Sequence, residues 1–258
     1  MKNNLTKKEI NNLYNWAKEY GIKELQTKDI NKLLNIKELI IMKDMVYKKT
    51  FYIPNEFFKL VNLKELHINS TNLKSLSKEI GNLVNLEEFS IGSYRSYNNR
   101  CKLKKLPKEI GKLTNLKKLT IICDNLKEIP HKIGNLINLK KLEINCEELK
   151  ELPKEIANLT KLRGLRMEDC YKIKELPKEI GNLINLKRLI IDEAGLKEMP
   201  KEIKNLINLE YIEIMWDGYA KGLPNEILNF NKLKDISITK MSPIYKRTMR
   251  KKVKIRKL

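Results

Sequence analysis

Two histidines and four cysteines are the side chains best suited to nucleophilic, acid–base or metal chemistry in this 258-residue chain. A catalytic nucleophile needs a base within hydrogen-bond reach, and a metal ion needs several ligands that converge. His131 sits where the equivalent segments carry Lys, and reads as a solvated surface residue. His67, at position 5 of its strand, should face the concave side, and one His without a nucleophile motif around it is weak evidence for catalysis. Cys123 and Cys146 lie 23 residues apart, and Asp169 lies 23 residues further on. In a fold of that period the three would be neighbours and could bind a metal, but no short metal-ligand motif has this spacing. Free thiols are the simpler reading, with Cys170 buried. The chain contains no GxxxxGK[ST], HExxH or GxSxG. The expectation is no catalytic residue, no metal and no cofactor, and a protein that is not an enzyme.

Charge is the next constraint. The chain holds 53 Lys and Arg against 32 Asp and Glu, a formal net charge of +21. Basic chains often bind nucleic acid or anionic surfaces. Lys, Asn and Ile are abundant together here, as when AT-rich codons dominate, so lysines on solvated faces are the plainer explanation. Hydrophobic residues make up 41%, which argues against disorder throughout. The N-terminal segment has no apolar stretch of signal-peptide type, and no run of 18 apolar residues could span a membrane. Cysteines without a framework of close pairs fit a reducing compartment, so a cytoplasmic location is expected.

The elements that must position any site are set by a repeat. The phrase LKSLSKEIGNLVNL from Leu73 returns as LKKLPKEIGKLTNL from Leu103 and LKEIPHKIGNLINL from Leu126. It returns again from Leu149, Ile173 and Leu196, with a degraded copy from Gly222. With the apolar residue opening each following strand as position 1, the repeats start at Ile36, Leu63, Leu86, Leu116, Leu139, Leu162, Leu186, Leu209 and Leu233. Positions 1, 4 and 6 are apolar, and positions 4 and 6 alternate with polar neighbours as a half-buried strand does. Positions 11, 14, 18 and 21 are apolar too. One repeat cannot bury this set, but stacked repeats can. Pro at position 15 suits the first turn of a short helix over KEIGNL. Gly at position 19 is expected to permit close packing there.

The pattern LPxxIGxLxNLxxLxI, over roughly residues 22–240, resembles the leucine-rich repeats of Ras-suppressor and Scribble type and of similar bacterial proteins. The resemblance implies an α/β solenoid: a curved parallel sheet on the concave face and short helices on the convex face. It says little about function. The family favours Asn at position 9, and this chain departs from that with Thr71, Asp124, Glu147, Cys170 and Ala194.

A solenoid needs caps. Thr6 to Glu9 reads as a capping box opening a helix whose apolar stripe is Ile10, Leu13, Tyr14 and Ala17, with Gly21 as its stop. The organisation expected is a helical cap with half a repeat over 1–35, repeats over 36–240, and a basic cap or tail over 241–258. Residues 246–258 hold eight Lys or Arg.

Positions 3, 5, 7 and 8 should face the concave side or its lip, where they supply ten acids against six bases. A nucleic-acid groove would concentrate Lys and Arg there. This balance instead suits a protein partner. The candidate concave site comprises Glu143, Arg166, Glu168, Asp169, Arg188, Asp192, Glu193, Tyr211, Glu213, Met215 and Trp216. Trp216 could equally pack over its own turn. Insertions after three strands, near 43–52, 92–102 and 216–221, would emerge on one edge. They carry Tyr47, Phe51, Tyr52, Arg100 and the candidate edge residues Tyr94, Arg95, Tyr97 and Tyr219. Loops rich in Tyr and Arg suit recognition. The function expected is a non-catalytic protein-interaction scaffold. The alternatives are a nucleic-acid or anionic-surface binder using convex lysines and the basic end, and a recognition fragment of a larger enzyme.

Overall fold

Strand formation follows from the alternation at positions 3 to 7. The computed structural model describes residues 5–43, 51–70, 72–92, 101–216, 230–238 and 254–255. Among these, ten strands form one parallel sheet in chain order. They are β1 (Glu38–Lys43), β2 (Glu65–Ser70), β3 (Glu88–Ile91), β4 (Lys118–Ile122), β5 (Lys141–Asn145), β6 (Gly164–Glu168), β7 (Arg188–Ala194), β8 (Tyr211–Trp216), β9 (Asp235–Ile238) and β10 (Lys254–Ile255). Register is fixed by the buried face, since a one-residue slip would turn every leucine to solvent. Position 4 therefore stacks on position 4: Leu66, Phe89, Leu119, Leu142, Leu165, Leu189 and Ile212 form one row. All seven are buried. Each contributes roughly 1.5–3 kcal/mol by leaving water. The curved, open sheet is the concave side of an α/β solenoid.

The chain returns between strands through five-residue turns of 3₁₀-helix, such as Lys108–Lys112 and Lys178–Asn182. These are tighter than the α-helical turns that KEIGNL suggested. Pro opens most of them with extended backbone, and its carbonyl accepts the first i→i+3 bond, as from Ile110 N to Pro107 O at 3.1 Å. Ser77 replaces Pro in one turn and caps it instead, accepting from Glu79 N at 3.2 Å. Adjacent turns touch at Gly. A Cβ on Gly111 would lie 2.3 Å from the Lys132 carbonyl oxygen, so position 19 is held by close backbone approach.

A second ladder joins the repeats. The Asn that precedes position 1 donates from Nδ2 to a carbonyl of the preceding repeat: Asn62 to Leu34, Asn85 to Val61, Asn115 to Val84, Asn138 to Thr114, Asn185 to Thr160 and Asn208 to Ile184. These bonds measure 2.8–3.0 Å. Lys161 breaks the pattern and donates its ammonium to Asn138 Oδ1 at 2.7 Å.

The first helix, α1 (Lys7–Tyr20), opens with the expected Thr6–Glu9 capping box and ends at Gly21 in the left-handed region. Its buried stripe differs from the expected one. Trp16 and Tyr20 join Ile10, Leu13 and Ala17, while Tyr14 is only half-buried under Lys28. The cause is an aromatic partner. Phe51 is 3% exposed and packs 5.0 Å from Tyr20 and 6.0 Å from Trp16, centroid to centroid. Trp16 Nε1 also donates to Tyr52 O at 2.8 Å. Phe51, expected on a recognition loop, is thus part of the cap's core. A short α2 (Ile30–Leu34), capped by Asp29, leads into β1.

Candidate functional site

Successive residues of a strand point to opposite faces, so positions 3, 5 and 7 line the concave side together. Position 3 changes character along the sheet. It runs Glu38, Glu65, Glu88, then Lys118, Lys141, Gly164, Arg188 and Tyr211. Position 7 runs from Met42 and Asn69 to Ile122, Asn145, Glu168, Asp192 and Met215. The later repeats therefore present cations at the start of their strands and carboxylates at the end.

Position 8, expected from the sequence on the lip, is not uniformly there. Ser70, Cys123 and Cys146 hold it and are buried, whereas Asp169 and Glu193 hold it and are not. Position 9 is likewise misaligned after Leu162. Cys146 Sγ donates to Ile121 O and Cys170 Sγ to Ile144 O, both at 3.8 Å. Ile121 and Ile144 are register partners, so Cys170 stands where Cys146 stands, one repeat on. Asp169 is the extra residue, bulged outward at φ 51°, and Glu193 repeats the device at φ 48°. Both are non-glycine residues in the left-handed region, a conformation that functional surfaces more often keep. The Cys170 thiol is pushed up to about 12 by burial, and burial pushes the Cys123 and Cys146 thiols up as well. All four cysteines are buried and unbridged, filling the inner turn. No group of three His, Cys, Asp or Glu side chains among the described residues is placed to hold a metal.

The bulges bring Asp169 and Glu193 together around Tyr171. Its hydroxyl lies 2.8 Å from Glu193 Oε2 and 3.2 Å from Asp169 Oδ1, with one proton to donate between them, and Asn145 Nδ2 donates to Asp169 Oδ2 at 2.9 Å. Burial and the two carboxylates hold the Tyr171 phenol above its ordinary pKa. Asp192 sits behind them with Oδ1 buried and lacking a hydrogen-bond partner. Burial, then the negative charges of Glu193, Glu168, Glu213 and Asp169, raise its carboxyl pKa. Arg166 donates to Glu168, and Tyr211 donates to Glu213. Met215 is half-buried beside Asp192. Five carboxylates thus gather on three neighbouring strands, with Arg166 bonded to Glu168.

At the other end of the same strands, Arg188 lies over the Tyr211 ring at 4.7 Å. Glu143 accepts from Thr120 Oγ1 at 3.2 Å. The backbone of Trp216 closes β8 against Ala194; its side chain lies outside the described residues, as do Tyr47, Tyr94, Arg95, Tyr97, Arg100 and Tyr219. Most of the basic segment over 246–258 also lies outside them, although Lys254–Ile255 pairs with β9 as the last strand.

The concave site has members that the sequence reading passed over. Tyr171 was one, because the bulge that turns it toward Glu193 leaves no mark in the period. His67 Nδ1 and Ser90 Oγ are 2.7 Å apart on adjacent strands, in a 320 Å³ hollow with Lys118, Thr120 and Glu143. Their shared position 5 was the available signal. Along the outer edge, carboxylates tie up lysines. Glu210 bridges Lys187 and Lys234, each at 2.7 Å, and their hydrogen bonds hold its carboxyl down to about 2. Glu87 similarly takes Lys117 and Lys64.

Comparison with known proteins agrees with this architecture. Residues 153–258 match the family described as a leucine-rich repeat region. No curated protein matches the chain. Among solved structures, a leucine-rich-repeat protein of Leptospira interrogans is 29% identical, with a TM-score of 0.58 over 92% of this chain and 64% of that one. An internalin of Listeria monocytogenes is 22% identical, with a TM-score of 0.68 over 92% of this chain and 67% of that one. Internalin C2 of the same organism is 18% identical, with a TM-score of 0.67 over 90% and 96% of the two chains. The two internalins bear on fold alone. The chain spans just under two-thirds of the Leptospira protein.

Proposed function

We propose that this leucine-rich-repeat solenoid is a non-catalytic protein-interaction module that binds its partner through the concave strand face. Solenoid curvature creates extended concave surfaces that such folds use for binding. The observation that carries the reading is charge segregation. The chain is strongly basic overall, yet Glu168, Asp169, Asp192, Glu193 and Glu213 converge on one end of the concave sheet. An unpartnered, partly buried carboxylate is costly in the free protein, and a basic side chain of a partner would relieve it. Tyr211 and Met215 on β8 supply the aromatic and thioether groups enriched in interface cores, and Trp216, which follows them in sequence, would add to these. The insertion edge with Tyr94, Arg95, Tyr97 and Tyr219 would extend the same surface.

The repeat is read as the Ras-suppressor and Scribble type, running over 36–240 between a helical cap and a basic terminal segment. Four free buried thiols support a reducing, cytoplasmic setting. Among the described residues no helix is long and apolar enough to cross a membrane.

One observation favours a second reading, an anionic surface or nucleic acid bound by convex lysines: the +21 net charge. Salt separates the two, because phosphate binding falls steeply as salt rises. Capture from native lysate at moderate salt, with nuclease present, tests the first reading. A defined protein retained under those conditions supports it; material recovered only without nuclease overturns it.

A further inference from the structure

The cationic end of the concave sheet contains an open notch. Lys141, Gly164 and Arg188 are register partners on β5, β6 and β7. Neighbouring strands run about 4.8 Å apart, so the two cationic residues flank a gap about 10 Å wide at the backbone. Gly164 is its floor. A Cβ there would meet only Lys141 Cγ, at 3.9 Å, an ordinary contact, so the floor has room for more than a hydrogen. The hollow measures 320 Å³, with Arg163 and Arg166 also on its wall.

The cations around it differ in how they are engaged. Arg166 is bonded to Glu168, and Lys187 to Glu210. Lys141, Arg163 and Arg188 make no ion pair among the described residues. Arg188 lines the hollow from β7 and stacks on Tyr211 of β8, on the side away from Gly164, so its planar fork is held at the rim of the notch. Glu143 is the one carboxylate on the wall, and Thr120 draws it toward β4.

We infer that the Gly164 notch is a subsite for a carboxylate side chain of an extended partner segment. The inference rests on the concave face being a protein-binding surface. A guanidinium fork matches carboxylate geometry, and the missing side chain at Gly164 supplies the room. The carboxylate row excludes a phosphate chain. Glu168 lies four residues beyond Gly164 on β6, or about 13 Å along the strand. Every nucleotide carries a phosphate, and a duplex strand presents one about every 3.4 Å of axis, so nucleic acid laid along these strands would press phosphates against Glu168 and Asp192. A polypeptide can carry one anion and be neutral or basic further on. In an extended segment, residues i and i+4 share a face and span the same 13 Å or so. The surface therefore selects Asp or Glu followed or preceded, four residues away, by Lys or Arg.

The test uses the full chain as bait for a displayed library of random dodecapeptides, with Gly164→Glu, Gly164→Ala and the pair Glu168→Lys with Asp192→Lys as parallel baits. The expected result is enrichment of an acid and a base four residues apart. The selected peptides should bind Gly164→Glu at least tenfold more weakly and Gly164→Ala within threefold of the parent. Thermal melts check that each variant is folded, which the open space at Gly164 favours. Enrichment without an acid, no enrichment at all, or equal binding to Gly164→Glu overturns the inference. Peptides that depend on Glu168 and Asp192 but not on Gly164 would leave concave binding standing and remove only the notch. A single-stranded DNA oligonucleotide that binds the parent and not Gly164→Glu would reassign the notch to phosphate.

Discussion

Replacing Asp192 with Asn should make the free protein more stable, and the pH dependence of the gain should identify the cause. Asp192 has a buried oxygen without a partner and four carboxylates around it. Its folded-state pKa lies above the ordinary 3.8. The protonated form is thus favoured by folding, and ionisation subtracts stability. The loss begins as pH rises past the unfolded value and is complete above the raised folded value. Asn keeps the shape and removes the charge. Relieving one unfavourable charge of this kind is worth about 0.5–2 kcal/mol. At roughly 2–4 °C per kcal/mol for a chain of this size, the melting temperature should rise by about 1–8 °C at pH 7. The difference should shrink toward zero near pH 3, where the parent is itself protonated. Added salt should reduce the repulsive part and leave the burial part. Calorimetry of both proteins from pH 3 to pH 8 measures this. An unchanged or lower melting temperature at pH 7, or a gain that does not depend on pH, would refute the reasoning.

Other perturbations read the scaffold. Asn115→Ala removes the side-chain bond to Val84 O at 3.0 Å. It should cost about 1 kcal/mol in urea-induced unfolding, whereas the same change at an Asn outside the ladder, such as Asn31, should cost less. Phe51→Ala should lower stability by about 3–5 kcal/mol, as for a fully buried aromatic residue, and should loosen Trp16, read as a red shift in its fluorescence. The four buried thiols should resist a disulfide reagent at pH 8 in the native protein and react at once in guanidinium. Fast native-state reaction of Cys146 or Cys170 would contradict their place in the inner turn.

The scaffold was legible because the repeat states its own register. Position 4 and position 6 residues fall on their counterparts in every described strand, and a period of about 23 residues leaves no other pairing that buries them all. What the period could not convey were departures of a single residue. The bulges at Asp169 and Glu193 shift the inner turn by one place, so Cys170 occupies the position of Cys146, and counting along the chain misaligned it. The Asn ladder was visible as the recurrent Asn before most of the opening leucines, yet its partner is a carbonyl in another repeat and has no signature in sequence. Phe51 looked like loop because its partners, Trp16 and Tyr20, come from α1. The acidic residues of the concave site could be named from spacing. Their convergence on Asp192, and the gap at Gly164 that opposes them, required the neighbouring strands.

The most direct test of the central claim compares three baits in one capture from nuclease-treated native lysate. One is the parent chain. One carries Glu168→Lys with Asp192→Lys on the concave face, and one carries Lys127→Glu with Lys150→Glu on the outer turns. Each is checked for an intact fold by its melting curve. The account predicts a defined protein that the parent and the outer-turn variant retain and the concave variant loses. A protein lost by the outer-turn variant and kept by the concave one would contradict it.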